Sequence, residues 1–245
     1  MKPFLFLGAR PESEAAAPEY ESMRLAMGLE PERLVHVRLD REPLDEAPLD
    51  HVAGIVVGGS PYNVITPEHE KSATQRRLED DLARLAEAAI ARDFPVLYTC
   101  YGIGVLTRVI GGTLGTRYAE PAAAIEIMLT PEGLVDPLVE VLPQRFHAFG
   151  GHKEAADALP AEAVLLASSA ACPAQVYRVG GSVYATQFHP EVTADDFIAR
   201  GHVYRHHGYF AADALEEFST RVAAASVTEP RRMLRRFVEL ADAGA

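Results

Sequence analysis

Four short apolar runs, Phe4 to Leu7, Val35 to Leu39, Gly54 to Val57 and Val96 to Thr99, are separated by stretches long enough to hold helices, and this alternation constrains the fold more than any other feature. Apolar strands joined by helix-length crossovers belong to parallel sheets covered on both faces. Between the third and fourth runs, Leu78, Leu82, Leu85 and Ala89 recur at helical spacing while Glu79, Asp80, Asp81 and Arg84 fall largely on other faces, which predicts an amphipathic helix after Pro67. After Gly111-Gly112 the texture changes. Ala124 to Leu129, Val164 to Ala167, Gln175 to Val179 and Ser182 to Phe188 are broken by Pro and Gly and predict mixed or antiparallel strands, with Gly180-Gly181 as a hairpin turn. Thr193 can cap a helix whose first turn carries Asp195 and Asp196, and Pro230 can open a last one. The expected architecture is α/β: an open, mostly parallel twisted sheet flanked by helices in flavodoxin-like layers over residues 1–192, with a helical C-terminal extension over 193–245.

Charge and composition narrow the function classes. A formal net charge of -12, with no long Lys/Arg stripe, gives a field that repels phosphate backbones and argues against a nucleic-acid partner. The apolar run at Met1 to Arg10 is too short for a signal sequence or a membrane span, so a cytoplasmic protein with no membrane partner is expected. In that compartment Cys100 and Cys172 stay reduced.

One stretch carries chemistry. In Phe94-Pro-Val-Leu-Tyr-Thr-Cys-Tyr-Gly-Ile-Gly-Val-Leu a buried strand ends at Cys100 and a helix starts almost at once. A strand running straight into a helix needs a sharp turn, which lifts the side chain at the turn above the sheet's carboxyl edge. The free N–H groups and positive dipole end of the helix then favour a thiolate. Gly102 lets the helix pass close to the strand. A lone cysteine in an apolar stretch also fits a small core residue, so a base is needed. Tyr184-Ala-Thr-Gln-Phe-His-Pro-Glu supplies a candidate: in extended chain a spacing of two puts His189 and Glu191 on one face, where the carboxylate can hold one ring nitrogen and leave the other to move a proton. A surface His beside a solvated Glu is the bland alternative.

Taken together, C-Y-G at Cys100, Gly58-Gly59-Ser60-Pro61 and Gln187-Phe-His-Pro-Glu191 resemble the class I glutamine amidotransferases, especially the glutaminase domain of GMP synthetases. The order along the chain also matches. Gly151-His152-Lys-Glu stands where that family has S-H-G-D, and Ala167-Ser-Ser-Ala-Ala-Cys-Pro precedes the last hairpin. The resemblance implies a triad of Cys100, His189 and Glu191, an oxyanion hole from the N–H groups of Gly59 and Tyr101, and a substrate pocket touching Gly58, Ser60, Gly104, His152 and Gln187. It implies glutamine or a related γ-glutamyl compound as substrate; no cofactor and no metal are expected. Two positions depart from the pattern: Tyr98 replaces a Gly two residues before the nucleophile, and Gly104 replaces a Gln four residues after it, removing a side chain that shapes the glutamine pocket. These departures favour hydrolysis of another γ-glutamyl compound as the alternative activity, and a metabolite-binding pseudoenzyme is a third reading. No G-x-x-x-x-G-K-[ST] phosphate loop is present, so an amination partner would be a separate chain.

The remaining polar clusters are weaker. His202 and His206 would share a helix face but lack the Glu of an H-E-x-x-H site. Arg231, Arg232, Arg235 and Arg236 suggest a solvated face, an intramolecular partner of the acidic body or a docking patch. Cys172, beside Pro173, fits a structural role. His152 fits a pocket mouth as well as a loop cap.

Overall fold

A computed structural model describes residues 1–44 and 48–244. Its strands are β1 (Phe4–Gly8), β2 (Leu34–Arg38), β3 (Gly54–Val57), β4 (Val96–Thr99), β5 (Thr113–Gly115), β6 (Glu120–Leu129), β7 (Arg145–His152), β8 (Ala155–Ala158), β9 (Ala163–Ser169), β10 (Val176–Val179) and β11 (Val183–Thr186). The α-helices are α1 (Ser13–Met27), α2 (Ala73–Arg92), α3 (Tyr101–Val109), α4 (Ala194–Val203), α5 (Leu215–Ala224) and α6 (Pro230–Gly244). Nine strands form one sheet in the order β2-β1-β3-β4-β11-β10-β9-β6-β7, and β5 pairs with β8 apart from it. The half from β2 to β11 is parallel and the half from β11 to β7 antiparallel. This is the mostly parallel sheet flanked by helices, with a mixed second half, that the apolar runs predict.

The period of two in the parallel strands sorts side chains into two cores. Phe4, Phe6, Val56 and Leu97 face α1 and α6, joining Met23, Met27, Met233, Leu234 and Phe237. Leu5, Leu7, Ile55, Val57, Val96 and Tyr98 face α2 and α3, where Leu78, Leu82, Leu85 and Ala89 are fully buried as their spacing requires. At roughly 1.5–3 kcal/mol for each buried large apolar side chain, these layers hold the carboxyl ends of β1, β3, β4 and β11 in a fixed row.

Local signals in the sequence explain the joints. Ser72 caps α2 through a bond accepted from the Gln75 N–H. Gly180, at φ 62°, turns β10 into β11. Thr193 and Asp196 form a reciprocal capping box at the start of α4. Strand β11 is shorter than the Ser182 to Phe188 run: it stops at Thr186, because Gln187 and His189 turn their N–H groups to Gln175 and Phe149. The C-terminal helices lie on the sheet domain. Helix α4 packs on α1 and α5, α5 packs on β6, and α6 returns to α1. Among the arginines near α6, Arg236 donates to the Pro137 carbonyl at 3.0 Å and Arg232 pairs with Glu229 at 2.9 Å, so that cluster has intramolecular partners. No described helix is long and apolar enough to cross a membrane.

Candidate active site

Two adjacent strands bring the predicted residues together. In the parallel pair β4–β11, Thr99 lies opposite Thr186, so Cys100 and the Gln187-Phe188-His189 segment leave the sheet at the same edge. The Cys100 N–H donates to the Thr186 carbonyl at 2.8 Å and locks the two strand ends. Cys100 then takes φ 49° and ψ -100°, a region costly to a residue with a Cβ, before α3 begins at Tyr101. Such strain persists only where the surroundings over-determine it, and both the strand and the helix are buried. Gly102 is required beneath the turn: a Cβ there would stand 3.0 Å from the Tyr98 Cβ. Tyr98 points away from the site into the α2 layer, where its hydroxyl donates to the Leu82 carbonyl at 3.3 Å. The departure at position 98 is thus absorbed by the core.

The imidazole of His189 lies against Cys100, and its Nδ1 is 3.0 Å from Glu191 Oε1. Sequence reasoning did not find the next layer. Arg200, near the end of α4, donates to the same Glu191 oxygen at 3.1 and 3.2 Å. Its 3.0 Å approach to His189 Nδ1 is a crowding of donors around that shared acceptor. Arg10, just past the end of β1, donates from Nε to Glu19 Oε1 at 2.9 Å. Burial alone would raise the Cys100 pKa, but the His189 charge and hydrogen bond, with Arg10 and Arg200, lower it below the ordinary thiol value. Burial opposes a charged His189 as well, yet Glu191 and Cys100 overcome it and raise the ring to about 9. Glu191 is held low by His189 and Arg200 despite its burial. These directions all favour a charged pair, thiolate and imidazolium, over the neutral one.

Gly59 packs under this pair. A Cβ at that position would sit 2.6 Å from His189 Cε1 and 2.7 Å from Arg10 Nη2, so only glycine fits. Its N–H donates to Glu19 Oε1 at 3.3 Å, a long bond that faces it away from open space. Tyr101, the first residue of α3, has an N–H with no partner inside the helix. Its hydroxyl is not free for another purpose, since it donates to Glu79 Oε1 at 3.1 Å. A Cβ on Gly58 would meet Phe6 Cζ at 2.8 Å.

Two cavities meet at Cys100. One is lined by Ser60, Tyr101, Gly104, His152 and Gln187, which gathers most of the pocket residues named from the sequence. Where the family has a Gln side chain, Gly104 leaves room taken by Val64 and Glu154, each 3.0 Å from where its Cβ would be. Glu154 is pinned there by the Val64 and Ile65 N–H groups at 2.8 and 2.9 Å. His152 lines this cavity, but its Nδ1 and Nε2 are held by the Glu154 carbonyl and Glu120 Oε2, both at 2.9 Å. The other cavity, on the His189 side, is lined by Arg10, Arg200, Tyr204 and Tyr209 among others.

Two groups of side chains have the types and spacing of metal ligands: Glu19 with His189 and Glu191, and Glu120 with His152 and Cys172. The first is already neutralised by Arg10 and Arg200, and Glu120 in the second accepts from Ser169 and from Gln175 as well as facing His152. Glu19 Oε2 and Glu191 Oε2 have no partner among the described residues, but the two guanidiniums beside them oppose a cation there. The shared helix face expected for His202 and His206 does not form. Helix α4 stops at Val203 because Tyr204 is tied to Glu12 through its hydroxyl at 2.8 Å and lies beneath the Arg10 guanidinium, and His206 falls in the turns beyond.

The family model of the class-I glutamine amidotransferases matches residues 33–199. The chain belongs to that family. It is 27% identical over 198 residues to a glutamine-hydrolysing GMP synthase of Aeropyrum pernix, covering 81% of this chain and 33% of that protein. With one of the subunits of the glutamine-hydrolysing GMP synthase of Methanothermobacter thermautotrophicus it shares 29% identity over 151 residues, 61% of this chain and 71% of that one. The chain thus spans about a third or less of the length of the first curated relatives it matches. Among solved structures, a glutamine amidotransferase from Thermotoga maritima superposes with a TM-score of 0.72 at 18% identity, covering 98% of this chain and 97% of that one. A glutamine amidotransferase from Methylobacillus flagellatus gives 0.70 at 17%, covering 100% and 95%. At those identities the likeness is one of fold. The match ends within α4, one residue before Arg200.

Proposed function

We propose that this amidotransferase-family chain hydrolyses the side-chain amide of glutamine through a γ-glutamyl thioester on Cys100, releasing ammonia for an acceptor or a separate amination subunit. What supports the reading most is the line of Cys100, His189 and Glu191 over one sheet edge, with the cysteine on a strained elbow and its pKa lowered by adjacent cations. The thiolate attacks the amide carbon. Charge that develops on the carbonyl oxygen is received by the Tyr101 N–H, and by the Gly59 N–H once Glu19 releases it. His189 gives its proton to the departing nitrogen, the C–N bond breaks, and a water activated by the same ring later hydrolyses the thioester. Glu191, steadied by Arg200, keeps the ring oriented throughout.

Residues 1–192 would form the amidotransferase unit, and the extension over 193–245 would complete its site by delivering Arg200. The Methanothermobacter relative is itself one subunit of its enzyme, which makes a separate synthetase chain a natural partner to test. The decisive experiment is ammonia and glutamate release from glutamine by the purified protein, alone and with added synthetase subunits. Turnover that survives Cys100→Ala would overturn the reading.

The second reading is hydrolysis of a different γ-glutamyl amide by the same triad. The observation that favours it is Gly104, whose missing side chain leaves the acyl pocket to Glu154 and Val64.

A further inference from the structure

The two cavities at Cys100 are unequal. His189, the only residue of the triad able to protonate a departing nitrogen, lines the second cavity and not the one gathered around Gly104 and Gln187. The acyl part of a substrate therefore belongs in the latter, and whatever leaves must leave into the former. Ammonia needs nothing there but space. Instead the wall carries Arg10, a residue only 3% exposed, at the very carboxyl edge where the thiolate stands.

Arg10 is incompletely used. Its Nε donates to Glu19 and its plane lies over the Tyr204 ring, 5.3 Å from the centroid, with a looser polar approach from the Tyr204 hydroxyl. Its two terminal nitrogens make no well-formed hydrogen bond to a described residue, and Arg10 lines the cavity. Glu19 pairs with Arg10 through Nε alone and leaves the terminal fork of two nitrogens without a described partner, and a carboxylate is the group whose two oxygens match such a fork. Around the fork the wall is mostly apolar, with Ala122, Phe197, Phe210 and Phe218. The room available to water-sized groups is about 40 Å³, enough for about three of them, which favours a compact occupant.

We propose that this second cavity is a leaving-group subsite in which Arg10 binds the carboxylate of a small amino acid, so that a γ-glutamyl amino acid is turned over in preference to an amide whose leaving group lacks that carboxylate. The inference rests on the Cys100 acyl-transfer reading given above. It adds one contact: the amine expelled by His189 carries a carboxylate seated on the Arg10 fork, while the γ-glutamyl half stays bound to sulfur in the first cavity.

The test compares γ-glutamyl-alanine with γ-glutamyl-ethylamine, which lacks only the carboxylate, and with glutamine, by glutamate release from the full chain. In the wild-type protein kcat/KM for γ-glutamyl-alanine should exceed that for γ-glutamyl-ethylamine by about ten-fold or more. Arg10→Gln, which also removes a cation beside Cys100, should slow all three compounds, and should slow the alanine compound about ten-fold further, so that the preference for it is erased. Equal rates on the two amides in the wild type overturn the proposal without touching the thioester reading, and so does an Arg10→Gln variant that loses all three activities by one common factor and keeps the preference, since that is the behaviour of a group that only stabilises the thiolate or the oxyanion. Absence of turnover on every compound, glutamine included, sinks the thioester reading. Calorimetry with the Cys100→Ala protein then decides the subsite: binding of γ-glutamyl-alanine about ten-fold tighter than of the ethylamide upholds it, and equal affinities overturn it. The wild-type and Cys100→Ala comparisons need no Arg10 variant, so a misfolded Arg10→Gln protein leaves the answer intact.

Discussion

Among the described residues a cysteine, a histidine and a glutamate come into close quarters as Cys100 with His189 and Glu191 and again as Cys172 with His152 and Glu120, and of these two groups the first has the physics of a nucleophile. Cys100 stands at a strand end on a strained elbow, with guanidiniums on two sides and a helix N-terminus beneath it. Cys172 is fully buried, donates weakly to the Ala174 carbonyl at 3.7 Å, and has its pKa pushed up to about 12 by burial, with Glu120 adding to the rise. Residue types do not distinguish these groups. What distinguishes them is the sign of the surrounding charge: cations and a helix dipole favour the thiolate in one, and a carboxylate disfavours it in the other.

The largest expected effect tests that contrast directly. Cys100→Ala should lower glutamine-dependent ammonia release by about 10³-fold or more, whereas Cys172→Ala should stay within about three-fold of wild type. Comparable losses in both variants would break the distinction. A companion measurement sharpens it: iodoacetamide at neutral pH should modify Cys100 and leave Cys172 untouched in the folded protein, as read by peptide mass spectrometry.

The partners follow. Glu191→Gln should reduce kcat by about 10- to 100-fold with a smaller change in KM, since it orients the ring and sustains its charge without touching substrate. Glu120→Gln should instead act on stability, by about 1–3 kcal/mol, because the carboxylate faces His152 and accepts from Ser169 and Gln175. Denaturant titration beside steady-state kinetics separates the two signatures. If Glu120→Gln loses activity at unchanged stability, the second group is part of the chemistry.

Acid–base linkage gives a third contrast. His189 is raised to about 9 from an unfolded value near 6.5. A base with a raised folded pKa contributes stability that is fully present below the unfolded value and is lost as pH rises through the folded one. In the wild type the proton that Cys100 gives up on folding offsets this and should leave Tm nearly flat from about pH 6.5 to pH 8.5; in Cys100→Ala, where only the pairing with Glu191 remains, Tm should fall across that range, and His189→Gln in the same background should remove the fall. Identical pH profiles of Cys100→Ala with and without His189 would mean that the ring is not held protonated.

How much of this was legible beforehand follows from the range over which each signal acts. The four parallel strands, the α2 stripe, the Gly180 turn and the Thr193 cap are local, and period or turn chemistry encodes each within a few residues. Cys100 and His189 were legible for a related reason: a strand that ends in a helix and a strand that ends in His-Pro-Glu each announce an edge, although their adjacency depends on β4 pairing with β11. Arg10 carried a faint signal, a charged residue directly after the first apolar run. Arg200 carried none, since nine residues separate it from Glu191 and only the packing of α4 on α1 turns it inward. Glu19 was hidden in the same way, on a helix face whose burial is decided by the tail. Tyr98 was misleading in the opposite sense. At a position expected to crowd the elbow, it leaves toward the core because Gly102 makes room beside it.

The smallest expected effect probes whether the first group depends on the tail in a graded way, as the second, built from β6, β7 and the loop after β9, does not. Thr193 receives the Asp196 N–H at 3.2 Å, and its own N–H and hydroxyl go to Asp196 Oδ2 at 3.0 and 2.7 Å, so Thr193→Ala removes half of a capping box. The loss should be about 1 kcal/mol, or about 2–4 °C in Tm for a chain of this size. Arg200 lies in the last turn of α4, two turns from the cap, and its two bonds to Glu191 hold it independently of the frayed end. Glutamine kcat should therefore remain within about two-fold of wild type while Tm falls. A kcat loss as large as that of Glu191→Gln would mean that fraying at Thr193 reaches Arg200, and that the nucleophile's charge environment is set by the folding of α4 and not by the sheet edge alone.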